Sequence, residues 1–186
     1  IMEYVPAIDL MGLLQAMKPD ARIRVACGLM RQVLDGLSHA HDAGMIHRDL
    51  KPGNILVSQQ NNGLKAKLAD FGLAKNFVNA GLSRFSGENE VKGTLRYMAP
   101  EQIECSRYAT PKSDLYSAAA TLYTLISDAQ MYDCSDGRMP IDAILRNGPI
   151  PIQTHLPDAP PELVQFLDRG LQHDPNARFQ SAVEMR

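Results

Sequence analysis

The chain has 186 residues, of which 45% are hydrophobic and 22% are charged, a balance typical of globular domains. This composition excludes an intrinsically disordered tail, a collagen-like rod and a coiled coil. The formal net charge is -2, from 19 basic and 21 acidic residues without a basic run, so neither nucleic acid nor an anionic membrane is expected as the main partner.

The cysteines and the chain start bear on the cellular setting. Cys27, Cys105 and Cys134 are an odd number and contain no C-x-x-C pair, which favours a reduced, cytoplasmic location. The longest uncharged stretch, 115–127, is shorter than the ~20 residues that a membrane-spanning helix needs. Because the chain begins at Ile1 rather than Met, we expect it to be part of a longer protein, which can carry a membrane anchor elsewhere.

The first part of the chain predicts helices. Residues 1–5 have the composition of a buried extended segment, and apolar residues at helical spacing within 10–17 predict a short amphipathic helix. From Asp20 to Ala40 apolar residues recur every three or four positions, which predicts a long helix with one buried face. Gly44 follows, and glycine can adopt the left-handed conformation that ends a helix.

A hairpin and a long loop come next. Residues 55–58 and 64–69 predict two strands, joined across Asn61-Asn62-Gly63. Asn-Gly is a strong hairpin signal, because both of these residue types tolerate the positive φ that a tight turn needs. Residues 71–100 are rich in Gly, Ser, Asn and charge, without a sustained period. A loop of that length in a compact domain is usually functional or disordered.

The last part of the chain is again helical. Residues 114–126 are apolar nearly all round, which predicts a helix buried in the middle of the domain. A Pro-, Gly- and Asp-rich region, 129–161, surrounds a short helical run at 141–145, and apolar spacing within 163–171 predicts a further helix before a final short one. The predicted fold class is therefore mainly α with a small β-hairpin.

Three motifs follow one another along the chain. Residues 47–54 read HRDLKPGN, residues 70–72 read DFG, and residues 93–101 read GTLRYMAPE. The first two place two carboxylates, an amide and a lysine around one hairpin. In this order and spacing the chain resembles the eukaryotic-type protein kinases, and Lys51 and Thr94 resemble their Ser/Thr-specific branch. Residues 174–179, DPNARF, together with 150–152, resemble the bacterial eukaryotic-like Ser/Thr kinases more than the animal ones.

The resemblance implies a domain assignment. Residues 1–186 would form the C-terminal lobe of the α+β kinase fold, with a hinge at 1–6, a catalytic loop at 47–54 and an activation segment at 70–101. The N-terminal lobe is absent from this chain, which has no Gly-rich loop and no V-A-I-K strand lysine. We therefore expect the chain by itself to be inactive.

The same resemblance implies an activity, the transfer of the γ-phosphoryl group of MgATP to Ser and Thr hydroxyls of proteins. Asp49 would accept the proton of the acceptor hydroxyl, and Lys51 would contact the γ-phosphate. Thr94 would hydrogen-bond the side chains of Asp49 and Lys51. Asn54 and Asp70 would hold Mg²⁺ through the hard oxygen ligands that this cation prefers. Lys51, Asn54 and Asp70 would thereby also bind ATP.

An adenine site is implied as well. Met2 would be the gatekeeper, and backbone groups of Glu3 and Val5 would bond the adenine edge. Residues 55–57, with Leu56 in the middle, would line the floor below the adenine.

Further residues would act as scaffold in a kinase. His47 and Phe71 would stack to lock the metal-binding loop, and Glu101 would pair with Arg178. The Asp114 carboxylate would hydrogen-bond the backbone around His47, since a buried charge is tolerated only when it is paired.

Regulation is implied by Arg48, which precedes the catalytic aspartate and is suited to bind a phosphate bidentately. Ser83 and Ser86 are the candidate phosphorylation sites.

Two alternatives remain open. A pseudokinase scaffold would dock partners without chemistry, and the strand lysine of the longer protein would decide this. Without an upper lobe the apolar floor around Met2, Leu56 and Phe71 is uncovered, so we expect either self-association of the chain or a mobile segment at 71–100.

Overall fold

The computed structural model describes residues 8–71, 95–133, 140–146 and 148–186. The described helices are α1 (Leu10–Gln15), α2 (Pro19–Asp42), α3 (Pro100–Glu104), α4 (Pro111–Ser127), α5 (Pro140–Arg146), α6 (Pro161–Gly170) and α7 (Ala182–Met185), and the strands are β1 (Ile55–Gln60) and β2 (Gly63–Leu68). Single 3-10 turns lie at Pro52–Asn54, Ser106–Tyr108 and Ile152–Thr154. The predicted class, mainly α with a small hairpin, is confirmed.

The long helix α2 provides one wall of the core. The residues that it buries recur at helical spacing and are Ala26, Leu29, Met30, Val33, Leu34, Leu37 and Ala40. The helix ends as the sequence predicts: Gly44 has a φ of 73°, and the Met45 amide donates to the Ala40 carbonyl at 2.9 Å. This turn directs the chain from α2 into the loop that carries the HRD motif.

Strands β1 and β2 form an antiparallel hairpin, with Ile55 opposite Leu68 and Gln60 opposite Gly63. Gly63 has a φ of 109°, a conformation that favours glycine. The predicted hairpin is confirmed, but its two turn residues are Asn61 and Asn62, and Gly63 is the first residue of β2. Among the described residues this two-stranded sheet is the only one.

Gln32 of α2 fixes the hairpin to the helix. Its side-chain amide donates to the Leu64 carbonyl at 3.1 Å, and the Ala66 amide donates to its side-chain oxygen, also at 3.1 Å. On β1, the Ile8 amide donates to the Val57 carbonyl at 2.8 Å. Both strands are thus held by hydrogen bonds from outside the hairpin.

Helix α4 lies in the middle of the core, as its all-round apolar sequence predicts. Three successive alanines, 118–120, are each 0% exposed. Helix α6 approaches closely at Gly170, where an added Cβ would lie only 2.7 Å from the Cβ of Ala119. Small side chains at this crossing therefore let α6 pack against α4. Among the described residues, no helix is both long and apolar enough to span a membrane.

A buried ion pair joins α3 to the C-terminal part of the chain, as the resemblance implies. Arg178 is 1% exposed, and its guanidinium donates to both oxygens of Glu101 at 2.9 Å. The remaining donors reach the carbonyls of Gln172 at 2.6 Å, His173 at 2.8 Å and Lys112 at 3.2 Å. All five N–H donors of the guanidinium are therefore hydrogen-bonded.

The partners of Glu101 control its ionisation. Burial of the carboxyl would raise its pKa, but hydrogen bonds from Arg178 and Ser113 outweigh that desolvation, and the pKa lies below the ordinary glutamate value. The Ser113 hydroxyl donates at 2.7 Å. The pair therefore stabilises the fold while Glu101 is ionised, and that contribution is lost as pH falls through the lowered pKa.

Removing the guanidinium should unfold the chain more easily. In Arg178→Met the Glu101 carboxylate is left in a half-buried site without its counter-ion, and we expect the free energy of unfolding in urea to fall by about 3 to 5 kcal/mol. Arg186→Met is the matched control, because Arg186 pairs with Asp35 at the surface, where the side chains are 49% and 54% exposed. The control should change stability by about 1 kcal/mol or less. Equal effects of the two substitutions would contradict the importance assigned to the buried pair.

Candidate active site

One carboxylate on α4 binds the HRD loop, residues 47–54. Asp114 is 0% exposed, and its two oxygens accept the backbone amides of His47 and Arg48, each at 2.8 Å. The His41 ring, on α2, donates to the same carboxylate at 2.8 Å. Arg48 has a φ of 64°, an uncommon conformation for a residue with a side chain. The loop therefore has a strained backbone at Arg48, which the Asp114 carboxylate holds in place.

Asp49, Lys51 and Asn54 lie together, as the sequence predicts. The Lys51 ammonium is 3.4 Å from Oδ2 of Asp49. The side-chain amide of Asn54 donates to the same oxygen at 3.1 Å and to the backbone carbonyl of Asp49 at 2.6 Å. A 3-10 turn that begins at Pro52 brings Asn54 back towards Asp49, and both of these polar residues are less than 10% exposed. The Asp49 carboxylate thus has a defined orientation.

The end of β2 is bonded to this loop. The Ala69 amide donates to the Asn54 carbonyl at 2.9 Å, and the Ala69 carbonyl accepts the Nε2–H of His47 at 3.0 Å. The His47 and Phe71 rings lie 4.7 Å apart, as the resemblance implies. Asp70, between Ala69 and Phe71, is exposed with a φ of 53°. The second carboxylate therefore follows a segment fixed to the HRD loop.

The oxygen atoms available here suit a hard cation. Because the Asn54 nitrogen is bonded to Asp49, its side-chain oxygen is the atom left for coordination, and Asp70 presents an exposed carboxylate. Mg²⁺ prefers such ligands and usually binds few protein groups, with substrate phosphates and water completing its shell. The described part of the chain contains no cluster of three or more His, Cys, Asp or Glu residues that could hold a metal.

The predicted adenine floor needs a correction. Side chains of a strand alternate between its faces, so Ile55 and Val57 point the same way, into the core, where they are 4% and 0% exposed. Leu56 points to the opposite face and is partly exposed. The prediction that all three line the floor is wrong for Ile55 and Val57, and Leu56 alone remains a candidate.

Other predicted residues lie outside the described residues. They are the adenine-site residues Met2, Glu3 and Val5, the catalytic candidate Thr94, and the phosphorylation candidates Ser83 and Ser86. The proposed hinge, 1–6, is thus wholly outside, and the activation segment is described only at 70–71 and 95–101.

Two polar residues that contact the loop were not predicted. They are His41 and Gln102, which belong to none of the three motifs. The position of His41, four residues after the buried Leu37, is a signal that its side chain lies next to the core face of α2. Gln102 is 4% exposed and bonds the Arg48 carbonyl.

Comparison with known proteins agrees with this geometry. The protein kinase domain family matches residues 1–185. Serine/threonine-protein kinase PknB of Mycolicibacterium smegmatis is 31% identical over 189 residues, which cover 100% of this chain and 29% of that protein. PrkC of Bacillus subtilis is 28% identical over 192 residues, covering 100% of this chain and 27% of that protein. The chain thus spans less than a third of the length of these relatives.

Solved kinase structures have the same fold. A structure of the Rad53 kinase domain and SCD2 superposes with a TM-score of 0.72 at 29% identity, covering 99% of this chain and 63% of that one. The Mycobacterium tuberculosis PknI kinase domain superposes with a TM-score of 0.68 at 23% identity, covering 99% and 62%, and this likeness concerns the fold alone. With the family match over nearly every residue, the chain belongs to the protein kinase domain family.

Proposed function

We propose that this chain is the C-terminal lobe of a protein Ser/Thr kinase, which transfers the γ-phosphoryl group of MgATP to Ser and Thr hydroxyls of proteins. The observation that carries the proposal is the convergence of Lys51 and Asn54 on one oxygen of Asp49. The proposal includes a hinge at 1–6, a catalytic loop at 47–54 and an activation segment at 70–101. The names of the relatives PknB and PrkC support the Ser/Thr class.

Asp49 is suited to act on the acceptor hydroxyl. Its carboxylate is held by the Asn54 amide and lies next to the Lys51 ammonium, so it can accept a proton while keeping the hydroxyl oxygen aligned for attack. The side chain of Lys51 is 23% exposed, so its ammonium can also meet an incoming phosphate. Charge on the transferred group would thereby be stabilised by a residue that is already in place.

Asn54 and Asp70 would hold the divalent cation. When bound, Mg²⁺ neutralises charge on the phosphates of the nucleotide. The hydrogen bond between the Ala69 amide and the Asn54 carbonyl keeps the two ends of the hairpin together, which supports one shared cation site. A structure of Rad53 1-466 in complex with AMP-PNP supports an adenine nucleotide as the ligand of this fold.

A cytoplasmic location is part of the proposal. It is supported by Cys27 and Cys105, which are free thiols in the structure. A reducing compartment keeps such thiols free.

Asp49→Asn should abolish most of the transfer. In the longer protein that contains this chain, we expect kcat to fall at least ~100-fold, because the amide cannot accept the hydroxyl proton. The measurement is ³²P transfer from γ-labelled MgATP to a Ser/Thr protein substrate. Asp158→Asn, in the exposed loop before α6, is the control and should retain full activity. Full activity of Asp49→Asn would remove this residue from its role, and an inactive wild-type protein would favour the pseudokinase alternative.

The chain by itself should not catalyse. Residues 1–186 contain neither a Gly-rich loop nor a V-A-I-K lysine, so the nucleotide phosphates lack half of their expected contacts. We expect no transfer above background in the labelled assay, with the longer protein at the same concentration as the positive control. Turnover by the chain comparable to that of the longer protein would overturn the assignment as one lobe.

The chain should also self-associate. Ile8 is 37% exposed, and Leu56 and Phe71 are partly exposed on the face where an upper lobe would pack. Light scattering over a range of concentrations should show a mass that rises above that of a monomer, and Ile8→Ser should reduce this rise. Val183→Ser is the control, because Val183 is 71% exposed but lies on α7. A monomer at all concentrations would contradict the prediction.

A further inference from the structure

Gln102 is a buried amide of α3 that bridges two parts of the site. Its Nε2 donates to the Arg48 carbonyl at 3.2 Å, and its Oε1 accepts the Ala99 amide at 3.4 Å. With 4% exposure it has almost no access to water, so both polar ends depend on these partners. One side chain therefore joins the residue before α3 to the residue before Asp49.

A hydrogen bond to the Arg48 carbonyl can control the orientation of Asp49. It belongs to the same peptide unit as the Asp49 amide, so a rotation of this unit turns Asp49 as well. Arg48 has a φ of 64°, and such a conformation persists only when surrounding contacts enforce it. The Arg48 amide is held by Asp114 at 2.8 Å, and its carbonyl is held by Gln102. Helices α4 and α3 thus fix this residue from its two sides.

We infer that Gln102 is a positioning residue for phosphoryl transfer. Its side chain couples the orientation of the peptide unit between Arg48 and Asp49 to the position of residues 95–99. The inference rests on the proposed function. Residues 95–101 end the proposed activation segment, so a displacement there is passed through the Gln102 amide to the catalytic aspartate. Side-chain volume alone does not do this, because the link consists of a donor and an acceptor.

Two variants separate the polar link from packing. Gln102→Met keeps a side chain of similar length but removes both hydrogen bonds. Gln102→Glu keeps the acceptor for the Ala99 amide but places an oxygen, in place of the donor, against the Arg48 carbonyl. The matched control is Gln172→Met, because Gln172 also donates from its amide to a backbone carbonyl, that of Asp168 at 2.9 Å, but it is exposed on the surface.

Activity is measured in the longer protein that contains this chain. We expect both Gln102 variants to lower kcat by roughly 10- to 100-fold, the size of effect that a small misplacement of a catalytic group produces, with KM for MgATP unchanged. KM for the protein substrate should rise only in Gln102→Met, where the bond to Ala99 is also lost. The Gln172→Met control should leave all three parameters unchanged.

Amide hydrogen exchange of the chain is the second readout, and it does not depend on activity. In both Gln102 variants the Arg48 and Asp49 amides should exchange roughly 10-fold faster than in wild type, because a hydrogen bond that holds their backbone is missing. A purely packing role would lower the melting temperature without singling out these two amides. If Gln102→Met does not fold, Gln102→Glu carries the comparison.

The inference is overturned if the folded variants match wild type in kcat, or if only the melting temperature changes. It is also overturned if Gln102→Glu has wild-type kcat, since the donor to Arg48 would then be dispensable. A wild-type protein without transfer activity would contradict the proposed function instead, and the exchange comparison would still decide whether Gln102 positions the loop.

Discussion

The site depends on one buried charge, the carboxylate of Asp114. An ionised group in the core is tolerated only when its hydrogen-bonding capacity is used, and here two backbone amides and one histidine ring supply the donors. The donors from His47 and Arg48 belong to the HRD loop, so satisfying the charge also fixes the loop. Since Asp114 is carried by α4, the most buried helix, the packing of the whole core determines where Asp49 lies.

The hairpin provides the second constraint. Asp49 and Asp70 belong to different loops, and a short sheet of two strands brings those loops together. The hydrogen bonds from Ala69 to Asn54 and from His47 to Ala69 continue this pairing beyond the last ladder position. A two-stranded hairpin is only marginally stable alone, so its attachment to α2 through Gln32 is part of what holds the site.

The elements that can be predicted from the sequence are those that depend on residues close together along the chain. Helices α2 and α4 show long apolar patterns, and the turn before Gly63 has an Asn-Gly signal, so all three are predictable. Helix α3 was missed because five residues are too few to show a helical period. The floor of the proposed adenine site was assigned to three successive residues, although the alternation of β1 permits only Leu56 to face it.

Polar contacts between distant segments can be predicted from the sequence only where a family pattern names both partners. Asp114, Glu101 and Arg178 were predictable because a family pattern names their partners. His41 and Gln102 had no such pattern, and their partners are 73 and 54 residues away along the chain. A histidine or glutamine on a helix is usually solvated, so only the packing of that helix shows that its side chain must find a buried partner.

The neighbours Glu101 and Gln102 explain why so short a helix as α3 has a defined place. Glu101 is bound to Arg178 near the C-terminus, and Gln102 is bound to the Arg48 carbonyl of the HRD loop. A five-residue helix has too few internal hydrogen bonds to be stable alone, so these two contacts, rather than its own propensity, set its position. Because Arg178 is buried and also bonded to three carbonyls, α3 is anchored on one side to a residue that is itself held by several hydrogen bonds. The strained Arg48 on its other side can then be held against a fixed support, which a freely moving helix would not provide.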